Sequence, residues 1–114
     1  MRILNTTPHN INVVKVTGGE NVYPKSTCQI RATAHEEKVG EIEDMEIFRE
    51  ELGSLVIEDP DNLLTEADIL IMSRIAATKA KDSGFFKKYT IWIPGGLLRD
   101  PMGGVIGCKG MIEV

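Results

Sequence analysis

The stretch Ile69-Leu-Ile-Met-Ser-Arg-Ile-Ala-Ala-Thr-Lys-Ala-Lys81, answered beyond Gly84 by Tyr89-Thr-Ile-Trp-Ile-Pro94, decides the fold. Ile69 to Met72 is a compact apolar run without alternation, the pattern of a buried strand. Ser73 follows it as a good N-cap, because its hydroxyl accepts a bond from a free N–H of a helix's first turn. Ile75, Ala76, Ala77 and Ala80 favour helix over Arg74 to Lys81. Lys79 and Lys81 complement the negative end of its dipole, and Gly84 is a plausible stop. Tyr89 to Ile93 is the strongest strand in the chain, with Tyr89, Ile91 and Ile93 on one face and Thr90 and Trp92 on the other. Pro94 ends it.

Beyond Pro94, six of the eleven glycines fall between Gly95 and Gly110. Such a cluster implies tight turns, positive φ angles or close approach of another group to the backbone. Val105 to Val114 then returns as one or two short strands, broken at Gly107 and Gly110. On the N-terminal side, Met1 to Leu4 is extended, Asn5-Thr-Thr-Pro-His-Asn10 is rich in turn formers, and Ile11 to Val16 has the β-branched content of a strand. Thr17-Gly-Gly-Glu20 reads as a hairpin turn, and Val22 and Tyr23 begin a return strand that Pro24 limits. Thr27 to Thr33 alternates, with Cys28, Ile30 and Ala32 on the inner face. From His35 to Glu46 charge is high and apolar residues are sparse, which predicts a mobile connector or a hairpin tip. Met45, Phe48 and Leu52 fit a helical stripe better than a strand face. Asp59-Pro-Asp-Asn62 signals a turn. The expectation is a single α+β domain over 1–114, small and β-rich. It would hold a mainly antiparallel sheet or partly open barrel with one principal helix.

Composition narrows the function. Of the 114 residues 42% are apolar and only 5% aromatic, so Ile, Val, Leu, Met and Ala must build the core. No apolar run approaches the length of a membrane span, and the opening lacks the apolar core of a signal peptide, which predicts a cytoplasmic protein with no membrane partner. Cys28 and Cys108 stand alone, without CxxC or histidine at ligand spacing, so they read as reduced, buried thiols and no metal is expected. The net charge of −4 conceals a segregation: residues 36–68 carry 13 acids and 2 bases, a net of −11, while the remainder carries +7. A broad positive surface of the kind that binds duplex nucleic acid is missing.

The chemistry-bearing residues are few. Thr7-Pro8-His9 invites a catalytic reading, since histidine is a common acid–base residue type, but a tight turn with backbone-bonded hydroxyls explains the triplet without catalysis. Asp59 and Asp61 imitate the start of a calcium loop, yet the required glycine and terminal glutamate are replaced by Leu64 and Leu70. Gly104-Val-Ile-Gly-Cys-Lys109 lacks the spacing of a phosphate-binding loop. Arginine grips phosphate bidentately, and neighbouring N–H groups complete a cradle. The candidate ligand site is therefore Gly95, Gly96, Arg99 and Asp100 converging with Thr7 and His9 at one end of a sheet, with Trp92 as a stacking face. No catalytic residue and no cofactor is assigned.

Four pieces, in order, carry a resemblance: Asn5-Thr-Thr-Pro-His-Asn-Ile11, Ile69-Leu-Ile-Met-Ser73 leading into a helix, Pro94-Gly95, and Arg99-Asp100 followed by Gly104-Val-Ile-Gly-Cys108. They resemble a family of small bacteriophage and prophage accessory proteins, although the acidic middle departs from it. The resemblance implies a phage-encoded accessory protein and a strand over Met45 to Leu52. It brings no catalytic residue. Two functions are expected from it and from the charges. One is a sponge that sequesters a small anionic, nucleotide-derived immune signal in the host cell. The other is a protein–protein interaction module, a virion component or an inhibitor of a host protein. Unpaired sheet edges in so small a domain predict a homo-oligomer.

Overall fold

Strand β1 (Ile3–Asn5) opens the chain, followed by β2 (Ile11–Val14), β3 (Glu20–Tyr23), β4 (Gln29–Ile42) and β5 (Met45–Glu58). A 3₁₀ turn (Leu63–Glu66), β6 (Ile69–Ile71), helix α1 (Arg74–Asp82), a second 3₁₀ turn (Gly84–Phe86), β7 (Thr90–Arg99) and β8 (Val105–Glu113) complete it. The computed structural model describes the backbone of residues 1–114 and the side chains of all but Leu52 and Phe85. Among the described residues, no helix is long and apolar enough to cross a membrane.

The β6–α1–β7 unit organises the rest. Ser73 Oγ accepts from the Ala76 N–H at 3.2 Å, as the sequence predicts, and starts the helix where the apolar run ends. Ser83 ends it in an extended conformation, so Gly84 begins the next turn rather than supplying a left-handed cap. A helical crossover lets β6 and β7 run parallel, Leu70 opposite Ile91 and Ile71 opposite Trp92. Every residue of β6 is buried, which explains its unbroken apolar run. Leu70 and Met72 join Cys28, Ile30, Ile91, Ile93 and Phe86 in the main core, against the small face Ala76, Ala77 and Ala80 of α1.

Six strands form one mixed sheet in the order β1-β6-β7-β8-β2-β3. Three short ladders are parallel, and the longer β7–β8 and β2–β3 ladders are antiparallel. The result is the β-rich α+β fold with one helix, its sheet curled into a nearly closed barrel. Asn5 bolts the two edges together, its Nδ2 donating to Tyr23 O at 2.9 Å on β3. The last strand is continuous through Gly107 and Gly110 rather than broken there.

The second sheet holds β4 and β5 alone, a ribbon of two fourteen-residue strands. Its base is core: Ile30 is buried and Leu55 packs against the same cluster. Beyond Ala34 it leaves the body, and the Cα radius of gyration of 16.8 Å exceeds the ~13 Å of a compact chain this size. The helical stripe Met45, Phe48, Leu52 is corrected here, since these residues lie in β5. Both faces of the distal ribbon meet water, so no alternation marks it as strand, and the i, i+3, i+7 coincidence carries no weight. The charged stretch His35 to Glu46 is the hairpin tip, turning at Glu43 and Asp44, both at positive φ.

Candidate functional site

Of the sequence-predicted site residues, Thr7 and His9 face a cleft of about 660 Å³. It opens past the carboxyl ends of the parallel strands β1 and β6, a usual place for ligand sites in sheets containing parallel strands. Pro8, Ile11, Pro94, Leu97, Val105 and Ile106 give it apolar walls, and Asn10, Asn12 and Ser73 add polar groups. Among the described residues, no lysine, arginine or carboxylate lines it. The turn that shapes it is built on Asn5. Its Nδ2 donates to His9 O at 2.7 Å, while its Oδ1 accepts from the Thr7 N–H at 2.9 Å and the Thr7 hydroxyl at 2.7 Å. The hydroxyl of Thr6 donates to Ile71 O at 2.7 Å. Thr7 is thus a structural residue of the turn.

Arg99 and Asp100 lie elsewhere. Arg99 is in register with Val105 at the outer end of the cleft, but its Nη1 donates to Gly103 O at 2.9 Å and it does not line the cavity. Asp100 Oδ1 accepts from the N–H groups of Met102 and Gly104, both at 2.9 Å, so its carboxylate caps the β7–β8 turn. Gly95 and Gly96 are packing positions. A Cβ on Gly95 would stand 2.7 Å from Ile112 Cγ1, and Gly96 has φ +65° against the stem of Lys109. Trp92 is half-buried on β7, outside the cleft. The expected convergence of Arg99, the glycines and the Thr7–His9 turn is not formed.

Two features were missed. A hollow of about 350 Å³ lies where α1, the second 3₁₀ turn and β7 meet. Ala80, Phe86, Tyr89 and Ile91 line it, with Lys81 and Lys87 as its cations and Glu113 as one opposing charge. Lys88 Nζ sits 5.1 Å from the Tyr89 ring centroid beside it. In sequence, Lys81 reads only as a complement to the helix dipole. The other is the ribbon tip, where Val39, Ile42, Met45 and Phe48 are 48–63% exposed between Glu41, Glu43, Asp44 and Glu46. Lys38 Nζ reaches Glu41 at 2.6 Å and Glu46 at 3.5 Å.

Cys28 is buried under the base of the ribbon. Burial, then the nearby charge of Asp59 and a hydrogen bond to it, push its thiol up to about 11. Such a thiol is inert rather than nucleophilic. Among the described residues, no three His, Cys, Asp or Glu side chains are grouped as a metal ion requires. No family model, no curated protein and no solved structure matches the chain.

Proposed function

We propose that the protein is a non-enzymatic interaction module whose docking element is the β4–β5 ribbon. One observation carries this reading: a two-stranded ribbon leaves the body with apolar side chains exposed at its tip. Isolated two-stranded ribbons are marginal in water, and clustered exposed apolar groups on so small a surface mark contact sites. The ribbon over residues 29–58 holds 9 acids and 3 bases, so its partner surface is basic with an apolar centre. In the phage setting that the resemblance implies, that partner is a virion component or a host protein met in the host cytoplasm.

Sequestration of a small anionic, nucleotide-derived signal is the second reading. What favours it is the hollow bearing Lys81 and Lys87, rather than the Arg99 turn. Native mass spectrometry of the chain recovered from cells that make it separates the two. Docking requires a stoichiometric protein complex that Phe48→Ser with Met45→Ser abolishes and Arg99→Ala leaves intact. A small mass increment, released unaltered on denaturation, kept by the tip variant and lost with Lys81→Ala, would sink docking and support sequestration.

A further inference from the structure

We infer that the ribbon tip of one copy seats in the Lys81–Lys87 hollow of a second copy, a head-to-tail contact; this rests on the ribbon being a docking element. The two surfaces complement each other. The tip presents Ile42 and Met45, opposite each other, on one side of the ribbon and Phe48 on the other, all exposed, with Glu41, Glu43, Asp44 and Glu46 around the same turn. The hollow presents Ala80, Phe86, Tyr89 and Ile91 behind Lys81 and Lys87, with Glu113 the one acidic side chain among its lining residues. A narrow tip with apolar side chains on both sides and acids around it thus meets an apolar floor whose flanking charges are mainly cationic, the arrangement of a buried anchor within a polar rim.

Charge supports a copy as the occupant. Residues 29–58 carry a net of −6 and residues 74–88 carry five bases and one acid, a net of +4. Among the described residues, Arg74, Lys79, Lys81, Lys87 and Lys88 form no ion pair, and Lys88 alone of them stands over a ring, that of Tyr89. A chain's own tip cannot reach its own hollow. Ile42 at the tip lies twelve positions beyond Ile30 in the core, about 40 Å of extended strand, and α1 packs near the base. Folding back would break the β4–β5 ladder. Because tip and hollow are different surfaces, the contact is heterologous and generates a ring or an open filament.

Sedimentation velocity of the full chain tests this. Wild type sediments as an assembly larger than a monomer, and its apparent dissociation constant rises roughly tenfold or more on moving to high salt. Phe48→Ser with Met45→Ser is monomeric, and so is Lys81→Glu with Lys87→Glu; both alter exposed or rim side chains, and circular dichroism checks that each is folded. Mixed at equal concentration, the two variants form a one-to-one dimer and nothing larger, since one intact tip meets one intact hollow. Carbodiimide cross-linking of mixed isotope-labelled and unlabelled wild type joins the tip acids to Lys81 or Lys87 between copies. A wild type monomeric at every concentration overturns the inference while leaving docking on another protein untouched. Assembly retained by the Lys81→Glu, Lys87→Glu variant, or a mixture that fails to associate, overturns it too, the former pointing to tip-to-tip pairing.

Discussion

Glu36 on β4 stands directly opposite Glu50 on β5, in an antiparallel register where facing side chains share one side of the ribbon. Neither forms an ion pair among the described residues, and like charges facing each other in this way destabilise a ladder. Farther out, Glu41 faces Glu46, and there Lys38 bridges the two. The unbridged pair sits on the exposed stem of the ribbon, where no packing offsets the repulsion. A ribbon that repels itself when free gains from a cation brought by a partner.

Replacing Glu50 by Lys turns this pair into an attractive one. The free protein then melts roughly 1–5 °C higher at low salt, and the gain shrinks as salt screens the pair. Docking weakens at the same time, because the ribbon loses part of its negative field. Thermal melts of Glu50→Lys at two salt concentrations check the first effect, and sedimentation of the same variant checks the second. A melting temperature equal to or below that of wild type would show that the repulsion is already relieved in the free protein.

The ribbon turn offers a second gain. Glu43 and Asp44 have φ of 52° and 62°, the left-handed values that a two-residue hairpin loop demands and that non-glycine residues adopt at a cost. Glu43→Asn with Asp44→Gly stabilises the protein by roughly 1 kcal/mol, read from urea unfolding, and slows amide exchange in the distal ribbon. Unchanged exchange there would mean that the turn does not limit the opening of the ribbon.

How far these features could be read from sequence depends on burial. The Ser73 cap, the helix behind it and the first half of β7 were legible because each is a local signal tied to one buried face; Pro94 does not end that strand, which runs on to Arg99 in register with β8. The ribbon was not, since alternation arises only when one side of a strand is covered, and beyond Ala34 neither side is. The lysine hollow was hidden for another reason: Lys81, Lys87 and Glu113 converge only through the β6–α1–β7 crossover. Arg99 and Asp100 stand out in the sequence as charges among glycines, yet one bonds and the other caps the turn they belong to. In sequence Asn5 is one of six residues in a stretch rich in turn formers, whereas its partner Tyr23 is eighteen positions away.

Cys28 gives the stability a slope at alkaline pH. Its folded thiol holds its proton to about 11, against an ordinary value of 9.0. Below pH 9 both folded and unfolded thiols are protonated, and the group adds no pH dependence. Between about 9 and 11 only the unfolded thiol ionises, so the unfolded state binds fewer protons and stability falls with rising pH. The limiting slope is about 1.4 kcal/mol per unit. Urea unfolding at pH 8, 9 and 10 checks this against Cys28→Ala, which lacks the slope. Parallel pH profiles for the two proteins would show that Cys28 titrates normally in the fold.

Asn5 is the residue on which both the barrel and the cleft depend. Its amide donates to His9 O and Tyr23 O, both half-buried, and its carbonyl receives both Thr7 groups inside the protein. No other side chain of this size both donates twice and accepts twice. Asn5→Ala leaves Tyr23 O without that donor and the Thr7 N–H without its acceptor, while the Thr7 hydroxyl and His9 O still have each other at 3.0 Å; it costs about 2 kcal/mol, since unsatisfied groups forfeit their hydration. Asn5→Asp keeps the acceptor but aims a carboxylate at two carbonyl oxygens, so it destabilises at least as much at neutral pH. Repulsion and burial favour its protonated form in the fold, and a protonated carboxyl donates once. Acidification therefore recovers part of the stability of Asn5→Asp relative to wild type and none of that of Asn5→Ala. Unfolding curves of the three proteins at neutral and mildly acidic pH decide it: equal losses for the two variants at both pH values would mean that water, rather than Asn5, satisfies those carbonyls.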